Sequence, residues 1–229
     1  MITEPIFNKL IAERPIREAS EAHVALSLVL DVSLSMGGTP INTLNAAVNG
    51  MVQQMKEDPR LKNIVDLAIF VFGTRGRDTI HQGFRAVVDC DAVDLKATDN
   101  STYVTDALER AVEFSKKRCG AYDRAGGSYK PWVVLITDGE FDDDNNTLDR
   151  VGNAIKDRER QGKLQFFALG VERYNRSQIE RLTNNPNQVI DAKVANFGEF
   201  FSWIGRSMKA VSTKEVGEAT PLPPLQFTV

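Results

Sequence analysis

Apolar residues along this chain fall into two kinds of run. Short, predominantly apolar runs at 24–30, 65–72, 131–137 and 164–171 are bounded by polar residues. Such runs predict strands buried on both faces, the first of them over about 24–31. Elsewhere the apolar residues recur at three and four positions. Ile41, Leu44, Val48, Met51 and Met55 predict a helix over 40–57, with Thr39 as its cap, Pro40 at its first position and Pro59 beyond its end. Val104, Ala107, Leu108, Ala111 and Val112 predict a second helix reaching about Lys117. Leu148, Val151 and Ile155 predict a third, to about Gln161, and Phe197, Phe200, Phe201, Ile204 and Met208 a last one over 197–211. An aromatic stripe at that spacing reads as core. Residues 79–88 predict a further strand, which follows the second after a short loop and so pairs with it antiparallel. A short helix over 176–183 and a short strand at 189–191 complete the pattern, and residues 118–130 read as an exposed loop. Strands alternating with helices predict a three-layer α/β fold: a mostly parallel sheet with one antiparallel edge strand and helices on both faces.

Composition narrows the field of functions. At 229 residues and 42% hydrophobic, the chain has enough apolar side chains for one domain with an ample core. Residues 1–22 read as a polar N-terminal arm, and 212–229, with Pro221, Pro223 and Pro224, as a semi-rigid extended tail. The net charge is −3 and no Lys/Arg block is long enough to favour a nucleic acid or an anionic membrane surface. No apolar stretch approaches bilayer length, and the N-terminal residues lack the pattern of a secretory signal, so the expected location is cytoplasmic. Cys90 and Cys119 are expected to be reduced and structural. His23 and His81 stand apart from any acid–base grouping, so neither zinc ligation nor a His-centred hydrolase is supported.

Three polar segments carry the candidate chemistry. Asp31-Val-Ser33-Leu-Ser35 begins where the first strand stops, on the loop leading into a helix. Thr102 stands just before the second long helix, in Asn100-Ser-Thr-Tyr-Val-Thr105. Asp138 ends the strand 131–137. In an open α/β sheet, ligands bind outside the carboxyl ends of the strands. Successive parallel strands end on one edge, so two carboxylates and three hydroxyls can surround one cation. These are hard oxygen donors, suited to Mg²⁺, Mn²⁺ or Ca²⁺ rather than Zn²⁺. Taken alone, Asp-x-Ser-x-Ser is equally an ordinary turn with capping hydroxyls.

In combination, Asp31-x-Ser33-x-Ser35, Thr102 ahead of Ala107-Leu108, and Thr137-Asp138-Gly139 resemble von Willebrand factor type A domains and their metal-ion-dependent adhesion site. The resemblance covers about residues 22–211 and implies a Rossmann-like fold and a non-enzymatic, metal-dependent protein-binding module. It implies direct ligation of a divalent cation, Mg²⁺ first, by Ser33, Ser35 and Thr102. Asp31 and Asp138 would act through bound waters or hydrogen bonds, and a partner's Asp or Glu would complete the coordination. Met36, Tyr103 and Glu140 would lie on the partner-facing rim. More narrowly, Met36-Gly-Gly-Thr-Pro-Ile41, Pro131-Trp132 and Phe200-Phe-Ser-Trp203 resemble small bacterial TerY/YegL-type proteins of tellurite-resistance and stress operons. That likeness implies operon-encoded kinases, phosphatases or Ter proteins as partners; the chain itself is expected to be a monomer.

Two departures from the family pattern bear on the rim. Asn100-Ser101 stand where Gly-Gly is common, and Tyr103 follows the threonine, where it would contact a partner, cover the metal or simply be half-buried. The third loop carries Glu140 and Asp142-Asp143-Asp144. It reads as a solvated acidic loop, since it lacks the glycine spacing of a calcium loop. Two other readings compete. One is an adaptor for an AAA+ ATPase. The other is a Mg²⁺-dependent phosphohydrolase with Asp31 as nucleophile, which is weakened because the haloacid dehalogenase-type pattern needs an Asp where Ser33 stands.

Overall fold

The computed structural model describes residues 15–227. Residues 1–14 of the expected N-terminal arm lie outside them. In chain order the main elements are β1 (Val24–Asp31), α1 (Thr39–Glu57), the one-turn helix α2 (Leu61–Ile64), β2 (Val65–Phe72) and β3 (Ile80–Ala86). There follow α3 (Thr105–Tyr122), β4 (Trp132–Thr137), α4 (Asn145–Arg160), β5 (Gln165–Val171), α5 (Arg176–Glu180), β6 (Val189–Ala192) and α6 (Phe197–Ser212).

The strands form one sheet in the order β3-β2-β1-β4-β5-β6. Every pairing is parallel except β2 with β3, which is antiparallel and irregular in register, so the antiparallel strand sits at the edge as expected. β1 is buried along its whole length because both faces are covered. Leu26, Leu28 and Leu30 pack with α1 and α6 residues such as Leu44, Val48, Phe200 and Ile204. Ala25 and Val29 point the other way, into Leu108, Ala111 and Phe114 of α3 and Leu148 and Val151 of α4. This two-sided burial is why the strand reads as a continuous apolar run rather than an alternating one. Its single polar interior residue, Ser27, hydrogen-bonds Ser115 of α3 at 2.9 Å.

Three local expectations are corrected. Thr39 is the first helical residue of α1 rather than its cap; Gly38 takes that place at φ 75°, a conformation that disfavours side-chain-bearing residues. Helix α3 runs five residues past Lys117, because Arg118 and Tyr122 are drawn into the interior by Asp66 of β2. The Arg118 Nε–H and the Tyr122 hydroxyl both donate to Asp66 Oδ2, at 2.7 and 2.6 Å. Residues 118–130 are therefore not a simple exposed loop: Tyr129 is buried too, its hydroxyl donating to the carbonyls of Ser212 and Lys214 at 3.2 and 2.9 Å. The Pro-rich end is docked on the domain. Trp203 Nε1–H donates to the Pro223 carbonyl at 2.7 Å, and Leu222, Leu225 and Phe227 pack on the core.

Candidate metal centre

Strands β1 and β4 lie side by side, with Leu30 opposite Ile136, so Asp31 and Thr137-Asp138 leave the sheet as neighbours. Strand order reverses here: β2 lies on one side of β1, and β4, some sixty residues later, on the other. Such a switch point opens a crevice between the two outgoing loops. The loop that begins α3 closes it from the side of β2, tied by an isolated bridge between Ser33 and Asp99 and another between Gly73 and Tyr103.

Asp31 is fully buried. Its Oδ1 accepts the Ser33 N–H at 2.8 Å and its Oδ2 the Thr137 hydroxyl at 2.6 Å. The Ser33 and Ser35 hydroxyls are 3.0 Å apart, and Ser35 Oγ donates to Asp138 Oδ1 at 2.7 Å. Thr102 is 8% exposed and lies beside the third loop: a Cβ added at Gly139 would sit 3.9 Å from its Oγ1. The five candidate ligand residues are thus gathered at one place from three separate stretches of chain.

Their electrostatics favour a cation. Burial pushes the Asp31 carboxyl up to about 6, against the hydrogen bonds from Ser33 and Thr137, which favour its ionised form. Burial also raises Asp138; the Ser35 hydrogen bond opposes this and the nearby Glu172 charge adds to it. Two carboxylates held where ionisation is unfavourable are stabilised by any positive charge placed between them. Among the described residues no group of three His, Cys, Asp or Glu could hold a metal. A cation here would therefore depend on hydroxyl oxygens, the donor chemistry of Mg²⁺ rather than of a thiolate or imidazole zinc site. On this ground the residues fit the group.

The acidic run after β4 is exposed at Glu140, Asp142 and Asp144, as expected of a solvated loop, but Asp143 is buried and the aspartates also hold backbone groups. Asp142 brackets Thr102, its carboxylate accepting the Thr102 N–H at 2.7 Å and its own N–H donating to the Thr102 carbonyl at 3.0 Å. Asp143 is buried and accepts the Val104 N–H at 2.7 Å and the Thr105 hydroxyl, so it caps α3 from a distant loop. Asp144 caps α4, accepting the Thr147 N–H at 3.0 Å. Asp99 fixes the other side of the threonine loop. Its carboxylate accepts the Thr74 N–H at 2.7 Å and pairs with Arg77, whose charge and hydrogen bond join the Thr74 bond in outweighing burial and holding it below the usual range. Gly73 is required there, since a Cβ would come within 2.3 Å of Asp99 Oδ2. No local pattern distinguishes Asp99, Asp142 and Asp143 from solvated aspartates, because each bonds a backbone segment far away in the chain.

If Asp142 positions Thr102 for ligation, Asp142→Ala should weaken Mn²⁺ binding about tenfold, the scale of losing a supporting partner to a ligand. Asp142→Asn, which retains an acceptor, should restore most of it. Calorimetric Mn²⁺ titration of the three proteins checks this, and equal affinities would refute the positioning role.

The expected rim divides. Met36 is completely buried in the core, because the single turn at Leu34–Met36 swings its side chain inward. Leu34 takes the outward place instead, 57% exposed between the two serines. Tyr103 is half-buried with the Arg75 guanidinium 4.5 Å from its ring centre, and Glu140 is exposed, accepting from Asn175 Nδ2 at 3.1 Å.

Comparison with known proteins bears on the fold. The family model described as von Willebrand factor type A domain matches residues 26–203. The uncharacterized protein sll0103 of Synechocystis sp. is 27% identical over 161 residues, which cover 69% of this chain and 34% of that protein. The chain thus spans about a third of the length of this curated relative. Among solved structures, the pilus adhesin SpaC of Lactobacillus rhamnosus GG superposes with a TM-score of 0.66 at 14% identity, over 86% of this chain and 32% of that one. The vWF domain of the type V pili tip protein Mfa5 of Porphyromonas gingivalis gives 0.60 at 12% identity, over 87% and 99%. Proximal thread matrix protein 1 of the mussel byssus, in a structure with a zinc-occupied MIDAS motif, gives 0.53 at 14%, over 81% and 48%. At such identities the likeness is one of fold.

Proposed function

Because the chain belongs to the von Willebrand factor type A domain family, we propose that it is a non-enzymatic protein-binding module that captures a partner's carboxylate on a bound divalent cation. The observation that carries this reading is the convergence of Asp31, Ser33, Ser35, Thr102 and Asp138 at the switch point between β1 and β4. Ser33, Ser35 and Thr102 would hold the cation through neutral hydroxyls, and Asp31 and Asp138 would orient those hydroxyls and share the charge. The cation would supply Lewis acidity toward an incoming carboxylate. Ligands that are mostly neutral leave it undercharged, so an acidic partner completes what the site withholds. Mg²⁺ suits this donor set best. The zinc in the mussel protein's motif supports a divalent cation at this place in the fold.

The binding unit in this reading is residues 22–211, with 212–229 as its tail; the part of the tail that the structure describes, to Phe227, lies back on the unit. No helix among the described residues is long and apolar enough to cross a membrane, and we place the protein in the cytoplasm as a monomer. The narrower likeness to TerY/YegL-type proteins rests on Met36-Gly-Gly-Thr-Pro-Ile41, Pro131-Trp132, Phe200-Phe-Ser-Trp203 and the Pro-rich end. It makes an operon-encoded stress-response partner the working expectation and an AAA+ ATPase the alternative. The phosphohydrolase reading is disfavoured by burial: Asp31 is 0% exposed with both oxygens hydrogen-bonded, which hides the nucleophile that route needs.

Thermal unfolding in EDTA and then in Mg²⁺, Mn²⁺ or Ca²⁺ tests the site. A ligand that binds only the folded state at one hundred times its Kd adds about 2.7 kcal/mol. That rise should appear in the wild type and vanish in Ser33→Ala/Ser35→Ala. A rise that survives the double substitution would put the cation elsewhere.

A further inference from the structure

The rim around the candidate centre is lopsided in both charge and polarity. On the β2 side stand Leu34, Tyr103 and Arg75. Leu34 and Val216 are the exposed large hydrophobic residues among those described, and Val216 lies away in the tail. The three rim residues belong to one connected unit. The Leu34 N–H donates to the Asp99 carbonyl at 2.8 Å, the Asp99 carboxylate holds the Thr74 N–H, and the Tyr103 N–H donates to the Gly73 carbonyl at 2.7 Å. Arg77 pairs with Asp99. Arg75 is exposed, rests on the Tyr103 ring and meets no carboxylate among the described residues. On the β5 side the rim is acidic, with exposed Glu140 and with Glu172 close enough to act on Asp138.

We infer that the segment captured here carries, beside its metal-binding Asp or Glu, a bulky apolar residue that covers Leu34 and a second acidic side chain that reaches Arg75. This rests on the proposed metal-dependent function and adds the partner's chemistry to it. Leucine exposed between two metal-facing serines offers apolar area that only a neighbouring apolar group removes from water. An arginine already stacked on tyrosine is pre-organised for a carboxylate. Glu140 and Glu172 repel a second acid on their side, so the asymmetry fixes which way the segment runs. A basic segment meets the reverse arrangement: it is attracted away from Arg75 and brings no carboxylate to the cation.

Phage-displayed random dodecapeptides, panned on the intact protein in Mn²⁺ and released with EDTA, test this. The wild type should enrich peptides that combine an acidic residue, a neighbouring bulky apolar residue and a second acidic residue. Arg75→Glu should reduce the preference for the second acid about tenfold or invert it toward Lys and Arg. Leu34→Ser should reduce the apolar preference about fivefold. Calorimetric Mn²⁺ titration of each protein reports the metal site separately. EDTA-released peptides whose composition neither substitution changes would overturn the inference and leave the metal reading standing. So would wild-type peptides with a basic second charge. Absence of both EDTA-released peptides and Mn²⁺ binding would overturn the two together.

Discussion

Asp31→Asn should make the metal-free protein more stable at neutral pH while abolishing its response to divalent cations. The folded chain keeps the Asp31 proton up to about 6, whereas an unfolded chain releases it near 3.8. Between those values folding takes up a proton, so stability falls as pH rises through that window and the full cost is present above it. At about 1.4 kcal/mol per unit the cost is on the order of 3 kcal/mol. Raised Asp138 contributes in the same direction. An amide keeps the local hydrogen bonds, since its oxygen can accept the Ser33 N–H and its nitrogen can donate to Thr137 Oγ1. A bound cation opposes this: it favours the ionised carboxylates, so the stability it adds grows with pH over the same window and offsets the fall seen without it. Urea unfolding of wild type and Asp31→Asn from pH 4 to 7.5, in EDTA and in Mg²⁺, measures the difference directly. A difference in EDTA that does not vary with pH would sink the argument.

Asp66→Ala is expected to destabilise the protein by about 3–5 kcal/mol without touching metal affinity. Asp66 and Arg118 form an ion pair at the far end of the sheet from the candidate centre, with 0% and 1% of their side chains exposed. The Tyr122 hydroxyl joins them, and the His23 ring stacks on Tyr122 with centroids 5.1 Å apart. Burial holds the Tyr122 phenol well above its ordinary value, so it remains a donor to Asp66 at every ordinary pH. Removing the carboxylate alone leaves a guanidinium charge in the interior. Removing both charges does not, so Asp66→Leu/Arg118→Met should cost much less than Asp66→Ala. Denaturant unfolding of the two variants, with Mn²⁺ titration of each, checks the pair. A double substitution at least as harmful as the single would mean that the charges themselves stabilise the fold.

These two sites show what the sequence made legible. β1 and β2 were readable to the residue because strands covered on both faces are apolar at nearly every position, Ser27 and Asp66 excepted, and stop where polar residues begin. The amphipathic helices were readable because one apolar stripe faces the sheet. The Asp-x-Ser-x-Ser, Thr and Asp segments were found because each stands at a strand end or a helix start, and parallel strands bring their carboxyl ends to one edge. What escaped depends on partners remote in the chain. The end of α3 is set by Asp66, fifty residues away from Arg118. The roles of Asp142 and Asp143 are set by backbone N–H groups near Thr102, which periodicity and composition cannot reveal. Met36 and Leu34 exchanged places because one tight turn rotates side chains by an amount that strand and helix periods do not describe.

The central place of β1 has a consequence for the chain as it is made. One edge of β1 is satisfied by β2 early in synthesis, but the other waits for Trp132–Thr137, about a hundred residues later. Until then a nascent chain presents a long, mostly apolar strand edge with open backbone donors and acceptors. Fragments that stop before β4 should therefore be the forms that self-associate, and on the ribosome this strand is the natural target of a holdase chaperone.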